Sequence, residues 1–133
     1  MRALQRSLKN MANGRTVTCQ IRYQLDMTKL SEFEAYARAW MVLIERYGGT
    51  HHGYFMPRSA PEGVHLSFPQ IGHDGPADIA IALFTFPDEG AYLRYCERVA
   101  DDPDCRAAEA LYRETQCFIS YERLFLVPVE RTA

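Results

Sequence analysis

Long apolar runs are missing from this chain of 133 residues. None approaches the roughly 20 consecutive residues needed to cross a bilayer, so no membrane partner is expected. The first 15 residues lack the apolar middle of a secretory signal, and a cytoplasmic location is expected. Signatures of nucleotide or hydrolytic chemistry are missing too. The sequence contains no GxGxxG, no GxxxxGK[ST], no GxSxG and no HExxH, which removes support for nucleotide-dependent reactions and for the common hydrolytic centres. Cysteine is sparse: Cys19, Cys96, Cys105 and Cys117 show neither CxxC spacing nor a paired framework. They read as reduced, structural thiols. A reactive Cys105 is the alternative, because it falls near a predicted helix start and helix N-termini lower thiol pKa values.

Acidic residues are absent from positions 1–15, which hold four of the 15 basic residues, so residues 16–133 carry 11 basic against 17 acidic groups. A body of charge −6 repels phosphate backbones, and its basic residues are scattered rather than striped, so nucleic acid is not an expected partner. Hydrophobic residues at 47% and charged residues at 24% are the mixture of a folded globular domain. The length suits one such domain. Residues 1–15 read as a flexible basic arm and 16–133 as the single domain. Met11 offers a second translation start, and the acid-free beginning is also the composition of an organelle transit signal; the alternative start is the simpler idea.

Alternation of Val17, Cys19, Ile21, Tyr23 and Leu25 with polar residues predicts a strand with one apolar face. Leu30, Phe33, Ala37, Trp40, Ile44 and Tyr47 recur at steps of three and four and predict a helix, stopped by Gly48-Gly49. Thr50 to Met56 predicts a second strand, interrupted by Gly53. Residues 57–77 hold four of the seven prolines and two of the four histidines and predict a long loop, with a short extended piece at Val64 to Phe68. Ile79 to Phe86 is a continuous apolar run, the pattern of a strand covered on both faces. Pro87-Asp88-Glu89 opens a helix with Tyr92, Cys96 and Val99 inward, and Asp102-Pro103-Asp104 opens another with Asp102 as cap. Phe118 to Val127 predicts the last strand.

The order β, α, β, loop, β, α, α, β is that of a ferredoxin-like α+β sandwich with a split βαβ arrangement and a four-stranded antiparallel sheet. Its helices would cover one sheet face. The apolar run at 79–86 then predicts that a second copy of the chain covers the other, as an isologous homodimer.

Adjacent His51 and His52 point to opposite faces of a strand, which disfavours a paired-histidine metal site. No standard four-ligand spacing occurs, so no metal and no bound cofactor is expected. All histidines lie outside the predicted helices, which leaves no helix-borne haem ligand. The stronger constellation is Tyr23, Trp40, His52, Tyr54, Tyr121 and Arg123: aromatic rings with one imidazole and one guanidinium. Tyr23 and Trp40 should meet between sheet and helix, where aromatics and a few polar groups suit a small planar ligand. Period-two alternation puts His52 and Tyr54 on one face, with His52 as the proton-transfer group and Tyr54 beside it. Arg123 or Arg22 would hold a carboxylate or a developing enolate, with Tyr23, Trp40 and Tyr121 binding the substrate. Against this stands a reading in which Tyr23 and Trp40 are core and His52 and Arg123 are hydrogen-bonded structural residues. Glu122 should pair with Arg22 across neighbouring strands.

Thr18-Cys19-Gln20-Ile21-Arg22-Tyr23, Gly48-Gly49-Thr50-His51-His52-Gly53-Tyr54-Phe55 and Tyr121-Glu122-Arg123 resemble the bacterial NIPSNAP family, within the dimeric α/β-barrel superfamily. The Gly-Gly-Thr-His-His-Gly-Tyr-Phe run is the specific piece. This resemblance implies a ferredoxin-like subunit whose sheet packs on its twin to form a barrel, but no settled activity. The expected function is binding, or cofactor-independent oxidation or isomerisation, of a small aromatic or hydrophobic acid. The alternative is a non-catalytic binding or interaction module of the same fold.

Overall fold

The computed structural model describes residues 16–131; the arm expected over 1–15 lies outside the described residues. In chain order the elements are β1 (Val17–Leu25), α1 (Leu30–Arg46), β2 (Thr50–Phe55), β3 (Ile79–Phe86), α2 (Glu89–Val99), α3 (Pro103–Thr115) and β4 (Phe118–Leu126). The sheet runs β2-β3-β1-β4 with every neighbouring pair antiparallel. This is the ferredoxin-like sandwich that the element order predicts.

Burial alternates strictly along β3. Ala80, Ala82, Phe84 and Phe86 are buried under the helices, while Ile79, Ile81, Leu83 and Thr85 are half-buried on the opposite, open face. The core forms two adjoining clusters. One gathers Cys19, Leu43, Ile44, Phe84, Phe86 and Tyr95, the other Tyr23, Leu25, Phe33, Ala37, Cys117 and Phe118. Phe33 and Phe86 are wholly enclosed, and each contributes about 1.5–3 kcal/mol relative to exposure.

Local chemistry sets the helix limits. Gly48 takes a left-handed φ of 96°, its N–H donates to Glu45 and that of Gly49 donates to Ile44, the two bonds of a Schellman stop. Asp88 caps α2 by accepting from the Ala91 N–H at 2.7 Å. Asp102 caps α3 by accepting from the Asp104 N–H at 2.7 Å, with Pro103 in the first turn. Its other carboxylate oxygen receives Arg46 at 2.7 Å and the Tyr47 hydroxyl, tying the end of α1 to the start of α3.

Two expectations change. In α2 the inward residues are Tyr95 and Val99, and Cys96 is exposed. Positions 95 and 96 both suit a stripe that begins at Tyr92, and the Tyr95 ring packs 4.9 Å from Phe86. The 57–77 loop contains no strand at 64–68; Val64, Leu66, Phe68 and Ile71 are exposed. The Phe68 carbonyl instead accepts from the Ile71 and Gly72 N–H groups in a turn.

Candidate functional site

The register of the sheet brings the aromatic constellation together. Tyr23 lies opposite Ala80 on β3 and Tyr121 on β4, while Ile21 lies opposite Ala82 and Arg123. Cross-strand partners share a face, so Tyr121 and Arg123 stand on the helix side with Tyr23. Ala80 and Ala82 are fully buried, and their small side chains leave the volume above the sheet to large rings. Tyr23 fills it, with ring centres 5.1 Å from Phe33, 4.9 Å from Phe118, and 6.0 Å from both Tyr54 and Tyr121. Tyr36 continues the set towards Trp40, at 6.3 Å.

A cleft of about 690 Å³ opens beside these rings, lined by Tyr23, Tyr36, Trp40, Tyr54, Tyr112 and Tyr121 together with Glu109, Arg113, Ser120 and Arg123. That volume falls within the roughly 300–1,000 Å³ of small-molecule sites. Within it the Tyr23 and Tyr54 hydroxyls lie 3.3 Å apart. Burial raises both phenols above their ordinary pKa, and pushes Tyr36 up to about 12. At neutral pH they are hydroxyl donors, not phenolates. Glu109 and Arg113 pair with each other at 3.5 Å. Arg123 donates to the Tyr92 hydroxyl at 3.3 Å and lies 4.8 Å from the centre of the Phe125 ring, and forms no ion pair among the described residues. Among the described residues, the cleft therefore holds one guanidinium outside any ion pair.

His52 is not in the cleft. His51 pairs with Phe84 and Gly53 with Leu83, so His52 is an extra residue in a β-bulge. Gly53 has φ 119°, a conformation that glycine adopts readily. The bulge reverses the parity beyond it, so Tyr54 joins His51 on the helix side and His52 faces the open side. There its Nε2 sits 2.8 Å from the Thr85 hydroxyl. His51 stacks on Tyr54 at 5.1 Å and 15° between planes, and burial lowers its pKa below 6.5. The expectation that His52 and Tyr54 share a face is thus corrected, while one histidine on each face stands. A Gly inside a strand is the signal of a bulge, and it was present at position 53.

Arg22 and Glu122 meet as expected at 3.5 Å, both exposed, so the pair contributes about 0–1 kcal/mol. Cys105 is buried and its thiol is pushed up to about 11, chiefly by burial, the opposite of an activated nucleophile. Among the described residues no group of three His, Cys, Asp or Glu is placed to hold a metal ion. None of their helices is long and apolar enough to cross a membrane. Tyr36, Tyr112, Glu109 and Arg113 enter the site without having been singled out. Tyr36 was legible, lying three residues after Phe33 and four before Trp40.

The sheet, the helices on one face and the aromatic cleft between them define a ferredoxin-like α+β protein with a small-molecule-sized recess. A family model for NIPSNAP matches residues 20–131, so the chain belongs to the NIPSNAP family. Solved structures share its fold. An uncharacterized NIPSNAP domain protein from Burkholderia xenovorans aligns with TM-score 0.64 at 19% identity, over 88% of this chain and 98% of its own. A NIPSNAP family protein from Agrobacterium tumefaciens aligns with TM-score 0.64 at 16% identity, over 89% and 90%. A protein of unknown function from Rhodopseudomonas palustris reaches TM-score 0.55 at 16% identity, over 98% and 95%. No curated protein matches the sequence.

Proposed function

We propose that this protein binds a small, flat, hydrophobic carboxylic acid in the cleft between sheet and helices, with the aromatic rings holding the apolar body and Arg123 receiving the carboxylate. One observation carries the reading: nine aromatic residues line a recess that also contains a guanidinium in no ion pair among the described residues. Rings supply large contact area with little loss of side-chain freedom. Arginine recognises carboxylates with two parallel N–H donors.

Binding without chemistry is the favoured form of this reading. Isomerisation or oxygenation without a cofactor needs a proton-transfer group against the ligand. The cleft offers neutral phenols and a Glu109 already paired with Arg113, and His52 faces the other side of the sheet. The same proposal includes a homodimer through the open sheet face. Ile79, Ile81 and Leu83 on β3, Phe55 on β2, and Leu124 and Leu126 on β4 give that face an apolar band. A second copy would withdraw it from water.

Trp40 is the only tryptophan and it lines the cleft, so its emission reports occupancy. Titration with phenylacetate should quench it saturably. Arg123→Gln should weaken binding about 10–100-fold, the equivalent of a charge-assisted hydrogen bond of about 1.5–3 kcal/mol. His52→Ala should leave affinity within about twofold. Absence of saturable binding, or an Arg123→Gln variant as tight as the wild type, sinks the proposal.

A further inference from the structure

Two of the three helices pair an arginine with a glutamate one turn earlier. On α1 Glu34 stands four residues before Arg38 and meets it at 3.4 Å; on α3 Glu109 stands four before Arg113 and meets it at 3.5 Å. On α2 that pattern fails twice. Four residues before Arg94 stands Gly90, and four before Arg98 stands Arg94 itself. Like charges at this spacing repel, where opposite charges would attract. Neither arginine enters an ion pair among the described residues. The carboxylates that follow α2 are engaged elsewhere, Asp101 with Arg106 and Asp102 with Arg46.

Both line one recess of about 380 Å³, together with Arg46, Tyr47, Pro87 and Ala91. It shares no residue with the aromatic cleft. No carboxylate among the described residues lines it, although residues 16–133 hold 17 acidic groups against 11 basic ones. All three arginines are exposed, so an outside oxygen can reach them. Arg46 differs from the other two. Its Nη1 is held 2.7 Å from Asp102 and 2.9 Å from Asp104, while its Nε and Nη2 hydrogens donate to no acceptor among the described residues. A guanidinium fixed at one nitrogen loses little further freedom when the others bind. Arg94 Nη1 leans back along α2 and lies 3.2 Å from where a Cβ on Gly90 would stand, the direction that helical side chains take.

We infer that this recess is a second binding site, which takes the phosphoryl group of a small phosphate monoester. Arg94 and Arg98 are its charge partners and Arg46 is a fixed third donor. Charge decides between the anions. Asp102 and Asp104 already neutralise Arg46, which leaves the two charges of Arg94 and Arg98 to be met. A carboxylate or a phosphate diester brings one negative charge, whereas a phosphate monoester brings about 1.5–2 at neutral pH, with three acceptor oxygens. Guanidinium forks match such oxygens in pairs. Pro87, Ala91 and the Tyr47 ring, whose hydroxyl is committed to Asp102, leave apolar wall for the ester group. The volume lies in the lower part of the range for small-molecule sites, which favours a small ester.

The test is a two-dimensional amide NMR titration of the full chain at low ionic strength, with methyl phosphate as the monoester and dimethyl phosphate as the diester. Methyl phosphate should give saturable shifts centred on Gly48, Ala91, Arg94 and Arg98, and should bind about tenfold more tightly than dimethyl phosphate. Arg94→Gln and Arg98→Gln should each weaken it about tenfold. Arg38→Gln, which removes a paired arginine outside the recess, should leave it within about twofold. Shifts that never saturate, equal affinity of the two esters, or an Arg94→Gln, Arg98→Gln double variant that binds like the wild type each overturn the assignment. Shifts centred on Tyr121 and Arg123 overturn it as well, by moving the phosphate to the aromatic cleft. The comparison of the two esters needs no variant, so misfolding of one does not shelter the proposal.

Discussion

Gly49 has room for a hydrogen and nothing larger: a Cβ there would stand 2.7 Å from the Phe86 ring and 2.8 Å from the Ile44 side chain. Its neighbour Gly48 has open space around it but a φ of 96°. The pair reads in sequence as a helix stop, yet the two residues serve different physical ends. Gly48 reverses the chain, and Gly49 lets β2 approach the core. Gly49→Ala should destabilise by about 1–3 kcal/mol through overpacking, measured from urea midpoints. The Gly49→Ala, Phe86→Leu double variant should lose less than the sum of the singles, since the shorter side chain gives way. Strict additivity would show that the collision is relieved elsewhere. Spacing reveals that these positions want glycine; only the packed structure separates turn from close approach.

Among the elements, the start of α3 couples to the end of α1 through one carboxylate. The Tyr47 hydroxyl and then Arg46 hold the Asp102 carboxyl down at about 2, below its ordinary 3.8. A carboxylate depressed in the folded state contributes stability above its unfolded pKa and loses it as pH falls through the folded value. Stability should therefore decline between about pH 4 and 2 in the wild type. Asp102→Asn, which cannot titrate, should show a flatter profile across that window in urea denaturation. Equal slopes in the two proteins would remove Asp102 from the acid response. That Asp102 caps a helix was legible, because Asp-Pro-Asp is a start signal. Its bonds to Arg46 and Tyr47 were not, since they join residues more than fifty positions apart. The same limit applies to α2. Periodicity allows Cys96 or Tyr95 inward, and contact with Phe86 selects Tyr95.

For the whole molecule the open sheet face matters most. The alternating burial of β3 leaves a strand that is apolar at every position but Thr85 in a sheet with helices on one side only: its outer residues Ile79, Ile81 and Leu83 stay half-exposed in a single chain. Under the proposed dimer, light scattering should give a mass of twice 15.3 kDa. Leu83→Arg should shift it to the single-chain value by placing an unpaired charge in the interface. A wild-type mass of one chain at micromolar concentration would defeat the dimer and leave the cleft proposal standing, as Tyr23, Tyr54, Tyr121 and Arg123 stand on the helix side of the sheet.

Sequence by itself determined the element order, the helix caps, the aromatic constellation and the family resemblance, because these rest on spacing within a few residues of each other. It also placed one histidine on each face of β2. The tertiary structure decided which of the two meets Tyr54. That choice turns on a single extra residue in the pairing of β2 with β3, and a bulge is a property of two strands together. A shift by one reverses every side chain beyond it, so Gly53 hands Tyr54 to His51, and the aromatic cleft is completed without His52.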